Sequence, residues 1–220
     1  LNEQKQAIIQ SAVTRGLNPK VTLKPSGISW LGDIPATWEV RRLRVAVTHC
    51  VNGVWGSDPD GESDITCVRV ADFDRKNLCV SLQRKTIRSI SFSARSRRLL
   101  QRGDLLLEKS GGGDKQPVGA VVIYDHAEPA VCSNFVARLS IHEGYEPRFV
   151  NYLFSALYAC RINVPSIKQT TGIQNLDSKS YLAEHVGFPS KFEQQEIAAF
   201  LDGECRRFAA AIEKLEKEIQ

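Results

Sequence analysis

The 220-residue chain has no methionine, no apolar run approaching the roughly 18 residues of a membrane span, and no secretory signal pattern. A membrane role is therefore not expected, and the expected location is the cytoplasm, although a start at Leu1 leaves a lost leader open. The six cysteines, Cys50, Cys67, Cys79, Cys132, Cys160 and Cys205, never fall at Cys-x-x-Cys spacing, and none has a His three to five residues away. That removes a structural zinc site, and the apolar surroundings of residues such as Cys79 predict buried, reduced thiols. The four histidines are scattered and carry no assignable chemistry. A phosphate-cradling nucleotide loop is also missing: the triple glycine before Asp114 and Lys115 lacks the four-residue gap and the Lys-Ser/Thr pair that such a loop needs. Asn163-Val-Pro-Ser166 lacks the second proline and the aromatic of an adenine-methylating turn, and no glycine-rich cofactor loop accompanies it.

One further absence turns into a presence. From Arg75 to Arg102 there is no Asp or Glu, while Arg75, Lys76, Arg84, Lys85, Arg88, Arg95, Arg97, Arg98 and Arg102 all fall in that 28-residue window. A net charge of +4 says little, but nine positives together predict a phosphate-facing surface. The competing reading is a solvated basic face neutralised by the acids of the preceding loop, Asp58, Asp60, Glu62 and Asp64.

The most strongly patterned stretch is Phe188 to Gln220. Pro189 closes what precedes it, Ser190 is a good N-cap, and Glu193 is placed to return a hydrogen bond to the Ser190 amide as a capping box. Apolar residues follow at Ile197, Leu201, Cys205, Phe208, Ile212, Leu215 and Ile219; from Leu201 the spacing is 4, 3, 4, 3, 4, a coiled-coil seam that needs a partner helix. The pattern is still in register at Gln220, and Leu1 to Thr14 reads as the last turns of another helix stopped by Gly16 and Pro19, so the expectation is a globular unit between two truncated helices.

Between them, Asn18 to Val40 reads as a connector pinned by Trp30, Leu31, Ile34 and Trp38. Strands are predicted over 41–51, 65–70, 78–82, 86–90, 105–107, 118–124, 135–141 and 185–188. Helices are predicted over 92–100 and 147–157, with a turn at 177–182 and polar loops at 110–115 and 166–175. The fold class is α+β: a mixed, β-rich domain with non-local strands, flanked by helical coiled-coil segments.

Three stretches now carry a resemblance. Ala-Val-Thr-Arg-Gly-Leu-Asn-Pro (12–19) followed by Lys24-Pro-Ser-Gly-Ile-Ser-Trp-Leu-Gly-Asp-Ile-Pro-Ala-Thr-Trp-Glu-Val40, then Gly103-Asp-Leu-Leu-Leu-Glu-Lys109, then Gly187-Phe-Pro-Ser-Lys-Phe-Glu-Gln-Gln-Glu-Ile197, resemble the specificity subunits of type I restriction-modification systems. The resemblance implies the end of one conserved helix (1–20), one target-recognition domain (21–187) and the start of a distal conserved helix (188–220), the two helices antiparallel. It implies a non-catalytic part that reads one half of a split double-stranded DNA target. Modification (methyltransferase) subunits would bring S-adenosylmethionine, and a restriction subunit would bring ATP and Mg; no cofactor is expected on this chain.

Within that reading, Arg84, Lys85, Arg88, Arg95, Arg97 and Arg98 are the expected phosphate contacts. Two loops are nominated for bases and backbone: Lys109, Ser110, Lys115 and Gln116 in one, and Lys168, Gln169, Thr170, Thr171, Gln174 and Asn175 in the other, with Asn134 as a further candidate. Amides such as Gln116, Gln169 and Asn175 can bond adenine bidentately, and Lys109, Lys115 and Lys168 suit phosphate or guanine. Two other classes fit parts of the sequence. Asp104 and Lys109 suggest a metal-dependent nuclease, but the intervening carboxylate it needs falls on Leu107. The helical ends suggest an assembly adaptor that never touches DNA. Leu1 to Val13 spans about 20 Å against about 43 Å for a 29-residue distal helix, so it is expected to cover the first turns and leave Phe208 to Ile219 of the 201–219 seam bare and available for self-association.

Overall fold

The computed structural model describes residues 1–169 and 172–219, without the side chains of 213 and 215–219. Helix α1 (Asn2–Arg15) ends at Gly16, whose φ of 73° is left-handed, and the Gly16 N–H returns to the Ala12 carbonyl. A side chain there would be strained and would also press on Glu193, since a Cβ would lie 3.1 Å from the Glu193 Oε1. The connector is ordered by a small antiparallel pair, β1 (Leu23–Pro25) with β2 (Asp33–Pro35), and by Trp38, which is fully buried.

The single strand expected over 41–51 is two strands. β3 (Glu39–Arg42) and β4 (Val47–Asn52) are separated by a 3-10 turn at Leu43–Ala46. The reason is burial: Leu43 and Ala46, three apart and aligned by the three-residue turn, are the side chains that go inside, and the apparent alternation of Leu43, Val45 and Val47 is incidental.

β5 (Asp64–Val68), β6 (Phe73–Asp74), β7 (Cys79–Val80) and β8 (Ile87–Ser89) follow, then a four-residue helix α2 (Phe92–Arg95), shorter than the helix expected over 92–100 because Leu100 N–H already bonds the Ala130 carbonyl. Next come β9 (Leu105–Glu108), β10 (Ser110–Gly111), β11 (Val121–Ile123), β12 (Ala130–Cys132), β13 (Val136–Ile141) and helix α3 (Pro147–Ala159). β14 (Ile167–Gln169), β15 (Gln174–Leu176), the short α4 (Ser178–Tyr181), β16 (His185–Phe188) and α5 (Lys191–Ile219) complete the chain.

The architecture is α+β. A six-stranded sheet in the order β4-β13-β9-β11-β7-β6 is antiparallel apart from the β11–β7 pair, and a second sheet, β12-β5-β8, lies beside it. β9, all four residues buried, is the middle of the first sheet, which is why Leu105, Leu106 and Leu107 form an unbroken apolar run rather than an alternation. α3 carries Phe149, Val150, Leu153, Phe154 and Leu157 into a core that runs without interruption from Ile9, Ala12 and Val13 of α1 to Ile197, Ala198 and Leu201 of α5.

α1 and α5 are antiparallel: Gly16, at the end of α1, meets Glu193 at the start of α5, while Asn2 and Lys5 share a cleft with Phe208, Ala209 and Ile212. Phe208, expected to be bare, is half-buried; the side chains of Leu215 and Ile219 lie outside the described residues. The capping box is only half formed. Ser190 Oγ accepts the Glu193 N–H at 3.3 Å, but the Glu193 carboxylate accepts the Trp38 indole N–H at 3.1 Å instead of the Ser190 amide. Gln194, buried, donates to the Pro189 carbonyl at 3.0 Å and accepts the Glu146 N–H at the head of α3 at 3.0 Å. All six cysteines are free; Cys67 and Cys132 are buried and pushed up to about 11 and about 12 by burial, whereas Cys50, contrary to expectation, is exposed. Among the described residues, no helix is long and apolar enough to cross a membrane.

The junction gives a direct test. Glu193→Ala leaves the fully buried Trp38 without an acceptor and should lower unfolding free energy by roughly 1–3 kcal/mol, whereas Glu193→Gln keeps an acceptor and should retain most of it. Urea unfolding of the two variants checks this; equal losses would show that the bond carries no stability.

Candidate nucleic-acid interface

The two loops nominated separately are one structure. β10 pairs with β15, and β15 with β14, in a three-stranded antiparallel sheet, so segments 65 residues apart share a hydrogen-bonded ladder. On one rung Ser110, Asn175 and Lys168 stand opposite one another, and alternation puts them on the same face. Ser110 Oγ donates to Asn175 Oδ1 at 2.6 Å, and the exposed Asn175 amide nitrogen has no partner among the described residues.

Lys168 pairs with Asp177 at 2.9 Å. That lysine, followed by the Ser180 and Lys179 amides of α4, holds the Asp177 carboxyl below its ordinary range. Gln169 is exposed and accepts weakly from the Gln174 amide at 3.4 Å. Gln174 itself is a correction: it belongs to the inner face, is buried, and its carbonyl oxygen accepts the Val118 N–H at 3.2 Å, so it holds the sheet to the core rather than meeting a ligand. Thr170 and Thr171 lie outside the described residues.

The Ser110–Lys115 segment is tightly turned. After β10 the chain closes on itself through reciprocal Gly113–Gln116 backbone bonds of 3.0 and 3.1 Å, presenting Lys115 and Gln116 as exposed side chains without partners among the described residues. Lys109 bridges the two sheets: its backbone carbonyl accepts the Leu176 N–H at 2.8 Å, and its Nζ donates to Asn52 Oδ1 at 2.7 Å.

A third tip joins this edge. Ser133–Val136 forms a turn, closed by Val136 N–H to the Ser133 carbonyl at 2.9 Å, with Asn134 and Phe135 exposed at its apex. The Phe135 carbonyl accepts both the Lys109 and the Ser110 N–H, at 2.8 and 3.2 Å. Asn52 and Phe135 were missed in the sequence: Asn52 read as the start of a loop 57 residues from its partner Lys109, and Phe135 read as the first residue of a strand. The Ser-Asn pair before Phe135 is the turn signal that would have marked it.

The basic window is mostly spent within the fold. Arg75 pairs with the buried Glu108 at 2.8 Å, Lys85 with Glu128, Arg102 with Asp125, and Arg88 with Asp58 at 2.6 Å while its guanidinium lies 4.6 Å from the Trp55 ring centroid. Of the acids expected to neutralise it, only Asp58 does so; Asp60 instead accepts the Ser89 hydroxyl and loop amides, which bring its carboxyl down to about 2. Arg98 donates to the Asn52 and Ala94 carbonyls at 3.1 and 2.6 Å, which places it beside the Lys109 edge. Arg84, Arg95 and Arg97 have no partner among the described residues.

The residues of the nuclease reading are committed elsewhere. Asp104 turns back to accept the Gln101 N–H at 2.8 Å, Glu108 is locked to Arg75, and Lys109 is held by Asn52. Burial pushes both carboxyls up despite the opposing arginines, Arg138 near Asp104 and Arg75 at Glu108.

No family model and no curated protein matches the chain. Among solved structures it is similar to the HsdS subunit from Thermoanaerobacter tengcongensis, at 18% identity and TM-score 0.56 over 97% of this chain and 46% of that one. It is also similar to a chain from work on complex assembly and conformational transition of the type I R-M system, at 17% and 0.60 over 99% and 48%. The type I restriction-modification S subunit from M. genitalium matches at 18% and 0.52 over 91% and 44%. At these identities the likeness establishes the fold, and the chain spans about half the length of the structures it matches.

Glu108 supplies a pH test. A carboxyl whose pKa is raised on folding holds its proton more tightly folded than unfolded, so its contribution favours the fold at low pH and is lost as pH rises through the raised value. Relative to Glu108→Gln, which cannot ionise, the natural chain should therefore lose stability as pH climbs out of the ordinary carboxylate range. Chemical denaturation of both across pH reads this directly; a natural chain that gains on the variant instead would mean that Arg75 outweighs burial.

Proposed function

We propose that this chain is a target-recognition unit of a type I restriction-modification specificity subunit, which binds double-stranded DNA without chemistry of its own and reads one half of a split target. The observation that carries this is the convergence of three polar tips, the β9–β10 edge, the β14–β15 hairpin and the Asn134–Phe135 turn, on one edge of the molecule. The similarity of the fold to S subunits over nearly the whole chain supports the class, and the half-length coverage supports a single recognition unit with helix ends at 1–20 and 188–220 around a domain at 21–187.

On this reading Arg97, Lys115 and Arg98 neutralise phosphates and release counterions, giving affinity, while Lys109, Gln169, Asn175, Asn134 and Gln116 meet base edges and give discrimination. Modification subunits carrying S-adenosylmethionine are the partners that methylate, and a restriction subunit using ATP and Mg cleaves through the complex. The heptad seam of 201–219, which continues past the residues that meet α1 at Phe208 and Ile212, is the surface for pairing with a second helix, including that of another copy.

Binding to a randomised duplex pool should yield a short consensus and a strongly negative salt slope. Charge reversal at Arg97 and Lys115 should flatten that slope by about one to two units with the consensus unchanged, and Asn175→Ala should cost roughly 1–3 kcal/mol at a single base position. Duplex binding with no consensus, or retention on a modification subunit with no duplex shift at all, would replace this reading with the adaptor. For the α5 surface, light scattering should show concentration-dependent dimers; a strict monomer at high concentration removes that part.

A further inference from the structure

The geometry points to Phe135 as a base-reading residue, one that contacts the C5-methyl group of a thymine in the major groove, beside an adenine bonded by Asn134. The inference rests on the DNA-binding reading above and adds to it a residue and the chemical group it selects.

Phe135 is 49% exposed, and no other aromatic ring stacks on it among the described residues. An aromatic left half in water forgoes burial that the core could have used. It is also not a mobile residue on a loose loop. Its own carbonyl is held by two N–H groups, those of Lys109 and Ser110, and the following Val136 carbonyl takes the Gly53 N–H at 2.9 Å. The base of the turn is clamped so closely against Gly53 that a Cβ there would lie 2.1 Å from the Cys132 carbonyl oxygen and 2.2 Å from that of Ser133. The ring is therefore presented from a fixed backbone, which is what a contact with one base, rather than with solvent, requires.

Its surroundings decide the ligand. The groups tied to this turn through the network include Lys109, Ser110, Asn52 and Arg98, and the nearby carboxylate of Glu108, opposite Val136, is buried and taken up by Arg75, a setting that favours a polyanion over an apolar protein face. A phenyl ring has no hydrogen-bonding atom, and thymine's methyl is the apolar group that base pairs offer in the major groove. Asn134, adjacent and without a partner among the described residues, supplies the donor and acceptor that match adenine N7 and N6.

The experiment uses the full chain and the duplex consensus it selects, with each thymine replaced in turn by deoxyuridine, which removes only the methyl. One replacement should weaken binding by the natural chain about three- to tenfold. Phe135→Ala should bind the thymine and uracil duplexes equally, with its salt slope unchanged, and Phe135→Leu should keep part of the preference. The inference is overturned if Phe135→Ala and Phe135→Leu keep the full thymine preference, if no replacement affects the natural chain, or if the consensus holds only G·C pairs. Failure of the natural chain to bind any duplex would instead overturn the DNA-binding reading, and this inference with it.

Discussion

One hydrogen bond, from the buried Trp38 indole to the Glu193 carboxylate, joins the parts of this molecule that the chain order separates. Around it meet the end of α1 at Gly16, the connector through Pro35, and the first turn of α5. Trp38 brings a large apolar surface that must be buried and one N–H that must not be left unpaired, and Glu193 answers the second requirement from the opposite end of the sequence. Gln194, the next residue, does the same for α3 by accepting its leading N–H and donating to Pro189. The Glu-Gln pair thus orients three helices.

The β10-β15-β14 edge is held in place from below. Its strands are two or three residues long, and what fixes them is not their own pairing but the groups beneath: Gln174 holding Val118, Lys109 holding Leu176 and Asn52, and Gly53 admitting the Ser133 turn. The side chains on the outer face, Ser110, Asn175 and Lys168, bond one another or Asp177, while Gln169, opposite Gln174, lies on the other face at the end of its strand. The buried Glu108–Arg75 pair on the neighbouring β9 works in the opposite sense: it takes a cation out of the basic window and spends it inside.

Elements with strong periodicity were readable before the coordinates: α3 from its apolar face, α5 from its cap and heptads, and β9, β13 and β16 from their apolar runs. β10, β14 and β15 were not. Ser-Gly, Ile-Lys-Gln and Gln-Asn-Leu have no hydrophobic alternation: β14 and β15 pair locally, β10 joins them from 65 residues away, and the groups beneath hold all three in place. A separation of 57 residues likewise hid the link between Lys109 and Asn52. Residue type pointed to the right loops, but could not tell the outward Asn175 from the inward Gln174, since strand register decides which face each takes. The basic window misled for a related reason: its acids, Glu108, Glu128 and Asp125, lie just beyond it in sequence and reach it only through the sheets.

β3 and β16 pair in antiparallel register, Glu39 opposite Phe188 and Arg42 opposite His185. The chain therefore leaves the helical frame and returns to it at adjacent points, and α3, which lies inside that span, packs back onto both α1 and α5. An exchange of the span between these two strands would keep the Trp38–Glu193 lock only if the incoming segment also kept the α3 groups that Gln6, Gln194 and Asp202 meet.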